Sequence, residues 1–435
     1  MSAKRDLSPE SSASPRTLGS ILQAAAAIAI AASALLLTGC FEQEETQTAS
    51  FPETKLECLS TAVPNSFVIE WTDGSRTVAR GWTREEFTRE VFEPMQDEIR
   101  FVEQDQRVQL HPFTQVESTE AQDHFQAQWS PEQYGQLLVG ADQVWAQGVR
   151  GSGVLVAVVD SGMDRTHPML APRLYTNARE VASNGIDDDQ NGYIDDVQGY
   201  NFFAESGVFG DASGHGTHVG GIIAADHSQN GIAGMAPAAQ LLPLGFMSPE
   251  GSGSIGDAVL AIEYAAQQGA KVINASWGGA PCSTSLQKMI RDAGEKGVLF
   301  IAAAGNSGIS LDNYPEYPAA FSLANQLTVG ASTSRDYTAG FSNYSYNFVN
   351  LFAPGSNINS TYPGARTAIL SGTSMAAPFV SGAAALLFSD RPRATPQQIR
   401  QALLAGVDQG GFAATSRGRL NVRKSLDEIR RLVAP

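Results

Sequence analysis

The stretch Val154-Leu155-Val156-Ala157-Val158-Val159-Asp160-Ser161-Gly162 begins with six uninterrupted apolar residues, which an aspartate follows. A valine-rich run of this length is typical of a parallel strand that is buried on both faces of its sheet. Similar runs recur farther along the chain, and segments with helical spacing lie between them. The predicted strands cover residues 240–244, 272–275, 299–304 and 326–329, and the predicted helices cover residues 255–268 and 286–295. This alternation predicts an α/β fold with a doubly wound, mostly parallel sheet and helices on both faces.

Two polar residues directly follow predicted strands, Asp160 in the first run and Asn306 after Ala304-Gly305. In a doubly wound sheet, functional groups gather at the carboxyl ends of the strands. A buried aspartate there can orient a histidine and stabilise its imidazolium form. An asparagine amide can donate to an oxyanion that forms in a reaction. On its own, such an aspartate is often only a turn former.

Ser374 follows Gly372-Thr373 and precedes a segment of small residues with helical character. A serine hydroxyl at the start of a helix can act as a nucleophile when a base takes its proton. An isolated serine before a helix is more often a simple cap. Pro378 fits an α-helix best in the first turn, so this helix is expected to begin close to the serine.

His215 lies in the segment Gly214-His215-Gly216-Thr217-His218, whose small residues allow close packing. Histidine is the usual general base because its ordinary pKa lies near neutral pH. A zinc-protease motif would need two histidines four residues apart with a glutamate between them, and neither feature is present. We therefore predict that His215 is the base and that His218 is structural.

The segments around Asp160, His215, Asn306 and Ser374 resemble those of the subtilisin-like serine proteases, over about residues 133–422. The chain order of the aspartate, histidine and serine is the one found in that family. The resemblance implies an endopeptidase that hydrolyses peptide bonds through an acyl-enzyme on Ser374, whose own N–H is the second oxyanion donor. It also implies a cleft that holds peptides by strand addition and a pocket for the residue before the cut. The residues so implied are Leu242, Gly251, Ser252, Gly253, Ser276, Trp277, Gly278, Ala303, Ala304 and Gly305, with Trp277 bulkier than the aliphatic residue expected.

The N-terminal segment has the order of an export signal, with Lys4, Arg5 and Arg16 before an uncharged stretch at residues 21–39. The stretch ends in Leu37-Thr38-Gly39-Cys40, which resembles a bacterial lipobox. This resemblance implies cleavage before Cys40, a lipid on Cys40, and a membrane-anchored protein of the cell envelope. The alternative is an uncleaved transmembrane anchor, because the stretch is long enough to span a bilayer.

The chain is predicted to continue with a polar tether at residues 40–55 and a small α+β domain at residues 56–118. This domain resembles the inhibitory propeptide of the subtilisin-like proteases, which implies an intramolecular inhibitor whose tail occupies the cleft until it is cut. A linker at residues 119–130 and a peptidase domain at residues 131–435 complete the chain. The cut is expected between about residues 111 and 129, and it would release the protease while Cys40 keeps only the propeptide.

An acidic insertion at residues 184–196 carries Asp187, Asp189, Asn191, Tyr193 and Asp195. Their alternate spacing, with a glycine at position 192, resembles the first part of an EF-hand loop and predicts a calcium ion. The twelfth position holds Gln198 in place of the usual glutamate, so the bidentate ligand is either missing or comes from elsewhere. The alternative is an acidic surface loop without an ion.

The composition excludes one class of partner and leaves others open. The 435 residues carry a formal net charge of −16, which argues against nucleic acid as a partner. A monomer is expected, and Cys58 and Cys282 either pair or remain as two thiols. Two other functions are alternatives: a catalytically inactive binding module with the same fold, and an α/β-hydrolase esterase. The esterase fold needs a G-x-S-x-G elbow and a histidine last in the chain, and this sequence has neither.

Overall fold

The computed structural model describes Leu7 and residues 61–116, 133–207, 209–227, 232–279 and 282–434. The predicted signal segment, Cys40, the tether, Cys58 and the linker at residues 119–130 lie outside the described residues. Within the described residues, no helix is both long and apolar enough to cross a membrane. The chain forms two compact units, a smaller one of Val63–Asp105 and a larger one that includes Gln106–Pro435.

The smaller unit is an α+β arrangement in which a helical segment follows an antiparallel hairpin. Its elements are β1 (Ala62–Trp71), β2 (Arg76–Arg80), α1 (Arg84–Phe87), a π-helical turn (Thr88–Phe92), α2 (Glu93–Met95) and β3 (Ile99–Leu110). These strands and helices agree with the α+β character predicted for residues 56–118. Aromatic side chains form the core, and Phe67 stacks on Phe87 with ring centroids 4.5 Å apart. The last residues of β3, from Gln106 onward, belong to the larger unit.

The larger unit alternates strands and helices along the chain. Its strands are β4 (Thr114–Val116), β5 (Leu155–Asp160), β6 (Tyr200–Asn201), β7 (Gln240–Gly245), β8 (Ser252–Ser254), β9 (Val272–Ala275), β10 (Trp277–Gly278), β11 (Leu299–Ala303), β12 (Gln326–Ser332), β13 (Leu351–Pro354), β14 (Ile358–Tyr362), β15 (Arg366–Ser371), β16 (Asp408–Gln409) and β17 (Gly418–Arg419). Its helices are α3 (Tyr134–Leu138), α4 (Ala141–Trp145), α5 (His215–Ala224), α6 (Ile255–Gln267), α7 (Thr284–Glu295), α8 (Thr373–Asp390), α9 (Pro396–Ala405) and α10 (Val422–Leu432).

Nine of the described strands build one sheet, in the order β16-β17-β13-β12-β11-β9-β5-β7-β6. The pairs from β13 through β6 are parallel, and only the short strand β16 pairs antiparallel within this sheet. Val156 and Val158 of β5 belong to the same core cluster as residues of α5 and α8, while α6 packs against β5 and β7. The prediction of an α/β fold with a mostly parallel sheet is confirmed.

The sequence predicted that Pro378 lies in the first turn of its helix, and this prediction is wrong. Helix α8 begins at Thr373, so Pro378 falls in the second turn. A proline has no N–H, and the carbonyl group of Ser374, four residues earlier, therefore loses its helical donor. Ser276 replaces that donor, because its hydroxyl donates to the Ser374 carbonyl oxygen at 2.9 Å. A side chain from outside the helix thus makes the internal proline tolerable.

Candidate active site

Asp160 and His215 form a buried, hydrogen-bonded pair. Asp160 ends β5, and its Oδ1 lies 2.7 Å from Nδ1 of His215, the first residue of α5. Both side chains are 0% exposed. The Asp160 carboxylate also accepts a hydrogen bond from the Ser161 N–H at 2.8 Å. With Nδ1 held by the carboxylate, Nε2 of the imidazole is the nitrogen available to receive a proton.

Glycines bring the start of α5 close to its neighbours. Gly214 has a φ of 80°, and a Cβ at this position would lie 2.5 Å from the Tyr362 ring. A Cβ on Gly216 would lie 2.1 Å from the carbonyl oxygen of Gly162. Because neither position has room for a side chain, the glycines let His215 reach the carboxylate at the end of β5.

The hydroxyl of Ser374 lies at the start of α8 and is fully buried. It donates to the carbonyl oxygen of Ser276 at 3.0 Å. His215 Nε2 is also buried and has no hydrogen-bond partner. The serine–histidine hydrogen bond is therefore not made in this state. Such bonds are often long or misaligned until a reacting substrate is bound.

Three buried polar residues that the sequence did not single out as a group support the nucleophile. Ser381 of α8 donates to Asn274 Oδ1 at 2.8 Å, and Asn274 Nδ2 donates to Ser276 Oγ at 2.9 Å. Ser276 then donates to the carbonyl oxygen of Ser374. The chain of bonds fixes the first turn of α8 relative to the end of β9. A sequence signal existed, since Asn274 interrupts an otherwise apolar strand.

The amide oxygen of Asn306 is fixed by Thr373, the residue before Ser374. Its Oδ1 accepts from both the N–H and the hydroxyl of Thr373, each at 2.8 Å. Its Nδ2 therefore points the other way and donates to the carbonyl oxygen of Pro112 at 2.7 Å. The Asn306 amide thus donates to a main-chain carbonyl oxygen, as an oxyanion donor would.

The predicted cleft is lined by two short strands, and the chain itself lies between them. The register places Val108 opposite Gly253, and Gln109 opposite both Ser252 and Gly278. The Leu110 N–H also donates to the carbonyl oxygen of Gly251 at 2.9 Å. Backbone hydrogen bonds on both sides are the usual way in which a cleft holds an extended peptide.

The chain continues past the nucleophile to the other side of the site. Thr114 of β4 pairs with Ser371 of β15, three residues before Ser374. Between the two paired segments lie His111, Pro112 and Phe113, and the Phe113 ring centroid is 5.2 Å from that of His215. Residues 107–116 thus cross the candidate active site as one continuous segment.

The structure corrects two expectations about the cleft. Trp277 does not fill the rim with its side chain, because the ring is fully buried and its N–H donates to the Val159 carbonyl oxygen at 2.8 Å. Leu242 was predicted to line the cleft, but it lies inside β7 opposite Ala157 and is 0% exposed. Within the described residues, no strand pair joins Leu242 to residues 107–110. Its side chain is part of the buried hydrophobic core.

Ala303, Ala304 and Gly305 lie at the carboxyl end of β11, where the pocket for the residue before the cut was predicted. A Cβ on Gly305 would lie 2.4 Å from Oε2 of Glu316, a residue that sequence reasoning missed. Asn343 donates to this carboxylate at 3.0 Å. Burial raises the pKa of Glu316 despite that hydrogen bond. A partly buried acidic group therefore lies beside Gly305, at the place where the pocket was predicted.

His218 takes no part in the catalytic geometry. Its Nε2 lies 3.0 Å from the carbonyl oxygens of Ile358 and Ala368, and the side chain is fully buried. Burial lowers its pKa to about 3. The histidine is therefore neutral near pH 7 and joins α5 to the hairpin of β14 and β15, in keeping with the structural role predicted for it.

The five residues predicted as calcium ligands make different side-chain contacts in the structure, and the calcium site stays a prediction. Asp187 and Asp189 lie together, but Asp195 accepts hydrogen bonds from the N–H groups of Asn184 and Gly185. Tyr193 is buried among aromatic rings that include Tyr200 and Tyr264, and Asn191 donates to Asp196 at 2.7 Å.

Comparison with known proteins agrees with this geometry. The model of the subtilase family matches residues 151–419. Thermitase from Thermoactinomyces vulgaris is 36% identical over 301 residues, which are 68% of this chain and 97% of thermitase. Subtilisin Savinase from Lederbergia lenta is 37% identical over 270 residues, which are 62% of this chain and 89% of that protein.

Among solved structures, fervidolysin from Fervidobacterium pennivorans, described as a keratinolytic enzyme related to subtilisin, matches with a TM-score of 0.68. The match is 24% identical and covers 84% of this chain and 61% of fervidolysin. At this identity the likeness shows the fold alone.

Proposed function

Because the chain belongs to the subtilase family of serine proteases, we propose that it is the zymogen of an exported, lipid-anchored endopeptidase. The observation that carries this proposal is the segment of residues 107–116, which lies along the nucleophile with the Pro112 carbonyl oxygen on Asn306. The substrates would be peptides and proteins that take the place of this segment. Retention of competent residues at Asp160, His215, Asn306 and Ser374 argues against the inactive binding module.

The proposed reaction uses each group for one task. His215 Nε2 takes the proton from Ser374 Oγ, which attacks the carbonyl carbon of the scissile bond. The Asn306 amide and the Ser374 N–H stabilise the oxyanion, and Asp160 stabilises the imidazolium. His215 then donates its proton to the leaving amine. Water, activated by the same histidine, hydrolyses the acyl-enzyme and frees Ser374.

The zymogen state is supported by where residues 107–116 lie. Residues 107–110 pair with β8 and β10 on one side of the candidate active site, and residues 114–116 pair with β15 on the other side. A substrate therefore cannot bind until this segment leaves. We place the activating cut between about residues 111 and 129. The small unit of Val63–Asp105 would then act as the body of an intramolecular inhibitor.

The lipid anchor is supported by the sequence Leu37-Thr38-Gly39-Cys40 after an uncharged stretch. Cys40 precedes the inhibitor-like unit, and the catalytic residues follow it. Cleavage at the proposed place would therefore separate the lipid from the protease. Mass analysis of membrane-bound and released forms in a lipidating host tests this, with Cys40→Ala as the control that cannot be acylated.

Casein cleavage by the purified protein tests the catalytic assignment. We expect Ser374→Ala to abolish casein cleavage and self-processing without lowering the melting temperature. Ser389→Ala, a remote serine at the end of α8 whose hydroxyl donates to the Leu386 carbonyl oxygen, is the matched control and should remain active. Undiminished cleavage by Ser374→Ala would remove the serine from the mechanism.

A further inference from the structure

Asp211 is a buried carboxylate near the start of α5 that the proposed reaction does not use. It is 8% exposed, and both of its oxygens accept hydrogen bonds. Oδ1 accepts from the Ser161 hydroxyl at 2.9 Å and from the Gly214 N–H at 2.8 Å. Oδ2 accepts from the N–H and the hydroxyl of Thr217, at 2.8 and 2.6 Å. All four groups donate, which is the arrangement that suits an ionised carboxylate.

Asp211 places negative charge at the end of the helix where His215 lies. His215 is the first residue of α5, and Gly214 before it has no side chain to cap the helix. The amide groups at a helix start carry partial positive charge, which disfavours a cation such as an imidazolium there. Because the amide groups of Gly214 and Thr217 donate to Asp211, its charge opposes this end of the helix dipole.

Asp211 also determines where the hydroxyl of Ser161 donates. Ser161 follows Asp160, and its Oγ lies 2.9 Å from Asp211 Oδ1 but 3.3 Å from Asp160 Oδ1. The hydroxyl has one proton, so it can donate to only one carboxylate, and the shorter distance favours Asp211. The Ser161 oxygen accepts from the Gly216 N–H at 3.0 Å. A hydroxyl that donated to Asp160 instead would stabilise that carboxylate alone and weaken its hold on the imidazolium.

We propose that Asp211 is a positioning residue that stabilises the imidazolium form of His215 during catalysis. It acts through its charge at the start of α5 and by holding the Ser161 hydroxyl away from Asp160. The inference rests on the proposed function, because the imidazolium forms when His215 takes the proton of Ser374. Asp160 contacts the imidazole directly at 2.7 Å, whereas Asp211 acts through the helix and through Ser161.

Other titratable side chains face this region from neighbouring segments. His111 lies on the segment that crosses the site, and His218 lies one turn farther along α5. Burial lowers the pKa of His111 to about 4 and that of His218 to about 3. Tyr362 of β14 packs against the start of α5, and the Asp164 carboxylate accepts from the Gly364 N–H at 2.9 Å. Because both histidines are neutral near pH 7, a change in the pH profile of an Asp211 variant is assigned to the catalytic imidazole.

The pH dependence of kcat/KM for the processed enzyme tests the proposal, with a leucine peptide as substrate and active enzyme counted with a fluorophosphonate probe. Without the charge of Asp211 the imidazolium is less stable, so His215 becomes neutral at lower pH. We expect Asp211→Asn to move the acidic limb of the profile down by about half to one pH unit. Since the imidazolium also forms in the transition state, kcat on the plateau should fall roughly three- to tenfold with KM unchanged.

Asp226→Asn is the matched control, because it removes the same charge from a similarly buried carboxylate. Asp226 lies just beyond the other end of α5, about 15 Å away along the helix axis. It is 7% exposed and pairs with Arg173 at 2.8 Å. At this distance its removal should leave the acidic limb within roughly 0.2 of a pH unit of the parent.

The part played by Ser161 has its own test. In a chain that carries Asp211→Asn, adding Ser161→Ala removes the hydroxyl that could donate to Asp160. We expect the acidic limb to move part of the way back toward that of the parent. A limb that does not return would assign the whole effect to the charge of Asp211 and overturn the role of Ser161.

An acidic limb that stays in place in Asp211→Asn, or that moves equally in Asp226→Asn, overturns the positioning role while leaving an active protease. A parent that neither cleaves the peptide nor takes the probe overturns the proposed function, and this inference with it. The melting temperature reports whether Asp211→Asn is folded. If it is not, Asp211→Ser replaces it, because serine caps a helix without charge. An unmoved limb in that variant equally overturns the role.

Discussion

Pro378 changes the hydrogen bonding of the Ser374 carbonyl oxygen, which belongs to the candidate nucleophile. Pro378 cannot donate to it, and the Ser276 hydroxyl does so at 2.9 Å. The hydroxyl in turn accepts from Asn274, so the carbonyl oxygen is held by a buried chain of side chains. Removing Ser276 Oγ leaves this oxygen without a donor, whereas restoring an N–H at position 378 would supply one.

We predict that Ser276→Ala lowers the free energy of unfolding by about 1–3 kcal/mol, the usual cost of a buried acceptor left unpaired. In a chain that also carries Pro378→Ala, the same change should cost measurably less, because the alanine N–H can reach the Ser374 carbonyl oxygen. Urea unfolding of the four chains of this double-mutant cycle, all in a Ser374→Ala background, measures the coupling. Additive effects of the two changes would show that the hydroxyl does not replace the helical bond.

Glu316 lies beside Gly305, where the pocket for the residue before the cut is proposed, and it adds a charge there that the sequence motifs did not reveal. We predict a preference for lysine or arginine at that position of the substrate, because a partly buried carboxylate attracts a cation. Glu316→Gln should lower kcat/KM for substrates with lysine there by roughly tenfold and leave leucine substrates unchanged.

The predicted preference for lysine or arginine should depend on pH in one direction. Burial raises the pKa of Glu316, so the preference should be present above that pKa and lost as the pH falls through it. Matched peptide substrates that differ only in lysine or leucine before the cut provide the measurement. A Glu316→Gln enzyme with the parent's preference would contradict the assignment.

At the scale of elements, β8 and β10 present backbone groups to the segment that lies between them. Gly253, in the middle of β8, has no room for a side chain, because a Cβ would lie 2.6 Å from the Phe246 carbonyl oxygen. We predict that Gly253→Ala shifts β8 and raises KM about tenfold for peptides with four residues before the cut, with kcat less affected. Gly340→Ala, with no atom within 4 Å of its Cβ, is the control. Equal KM values for the two variants would argue against strand addition at β8.

The buried parallel strands were predictable because both faces of the sheet demand apolar side chains. The runs at residues 154–159 and 272–275 correspond to β5 and β9 with boundaries that differ by at most one residue. The short strands β8 and β10 were not predicted as strands, because their partners come from residues 107–110, far away in the chain. Leu242 was misplaced for a related reason: an apolar residue in a strand does not reveal whether it faces a cleft or the core.

The candidate catalytic residues could be proposed from the sequence because their chemistry restricts the residue type and the neighbours at each position. Asp160 and His215 meet at 2.7 Å, and Asn306 and Thr373 adjoin the nucleophile. Contacts made by tertiary packing were not predictable. Neither the proximity of Glu316 to Gly305 nor that of Asp211 to Ser161 leaves a periodic signal in the sequence.

For the molecule as a whole, we expect His111 to make occupation of the candidate active site depend on pH. It is buried in the segment that crosses the site, and burial with the nearby His215 lowers its pKa to about 4. The neutral form is therefore favoured while the segment is bound. Above the ordinary value of 6.5 binding is fully favourable, and it weakens as the pH falls toward 4.

We predict that opening of the segment increases on the order of 30-fold between pH 8 and pH 5, from the difference between the two pKa values. Hydrogen exchange of residues 107–116 in the full chain carrying Ser374→Ala measures this opening. His111→Asn, which does not titrate in this range, should flatten the pH dependence. An unchanged pH dependence in His111→Asn would assign the effect to another group.

The most direct test of the protease and zymogen together is the intact mass of the purified chain, beside Ser374→Ala, with and without a fluorophosphonate probe. The account predicts that the wild-type protein loses a segment ending between about residues 111 and 129 and gains one probe adduct, whereas the variant does neither. A wild-type protein that stays full length and unlabelled, with calcium present, would contradict it.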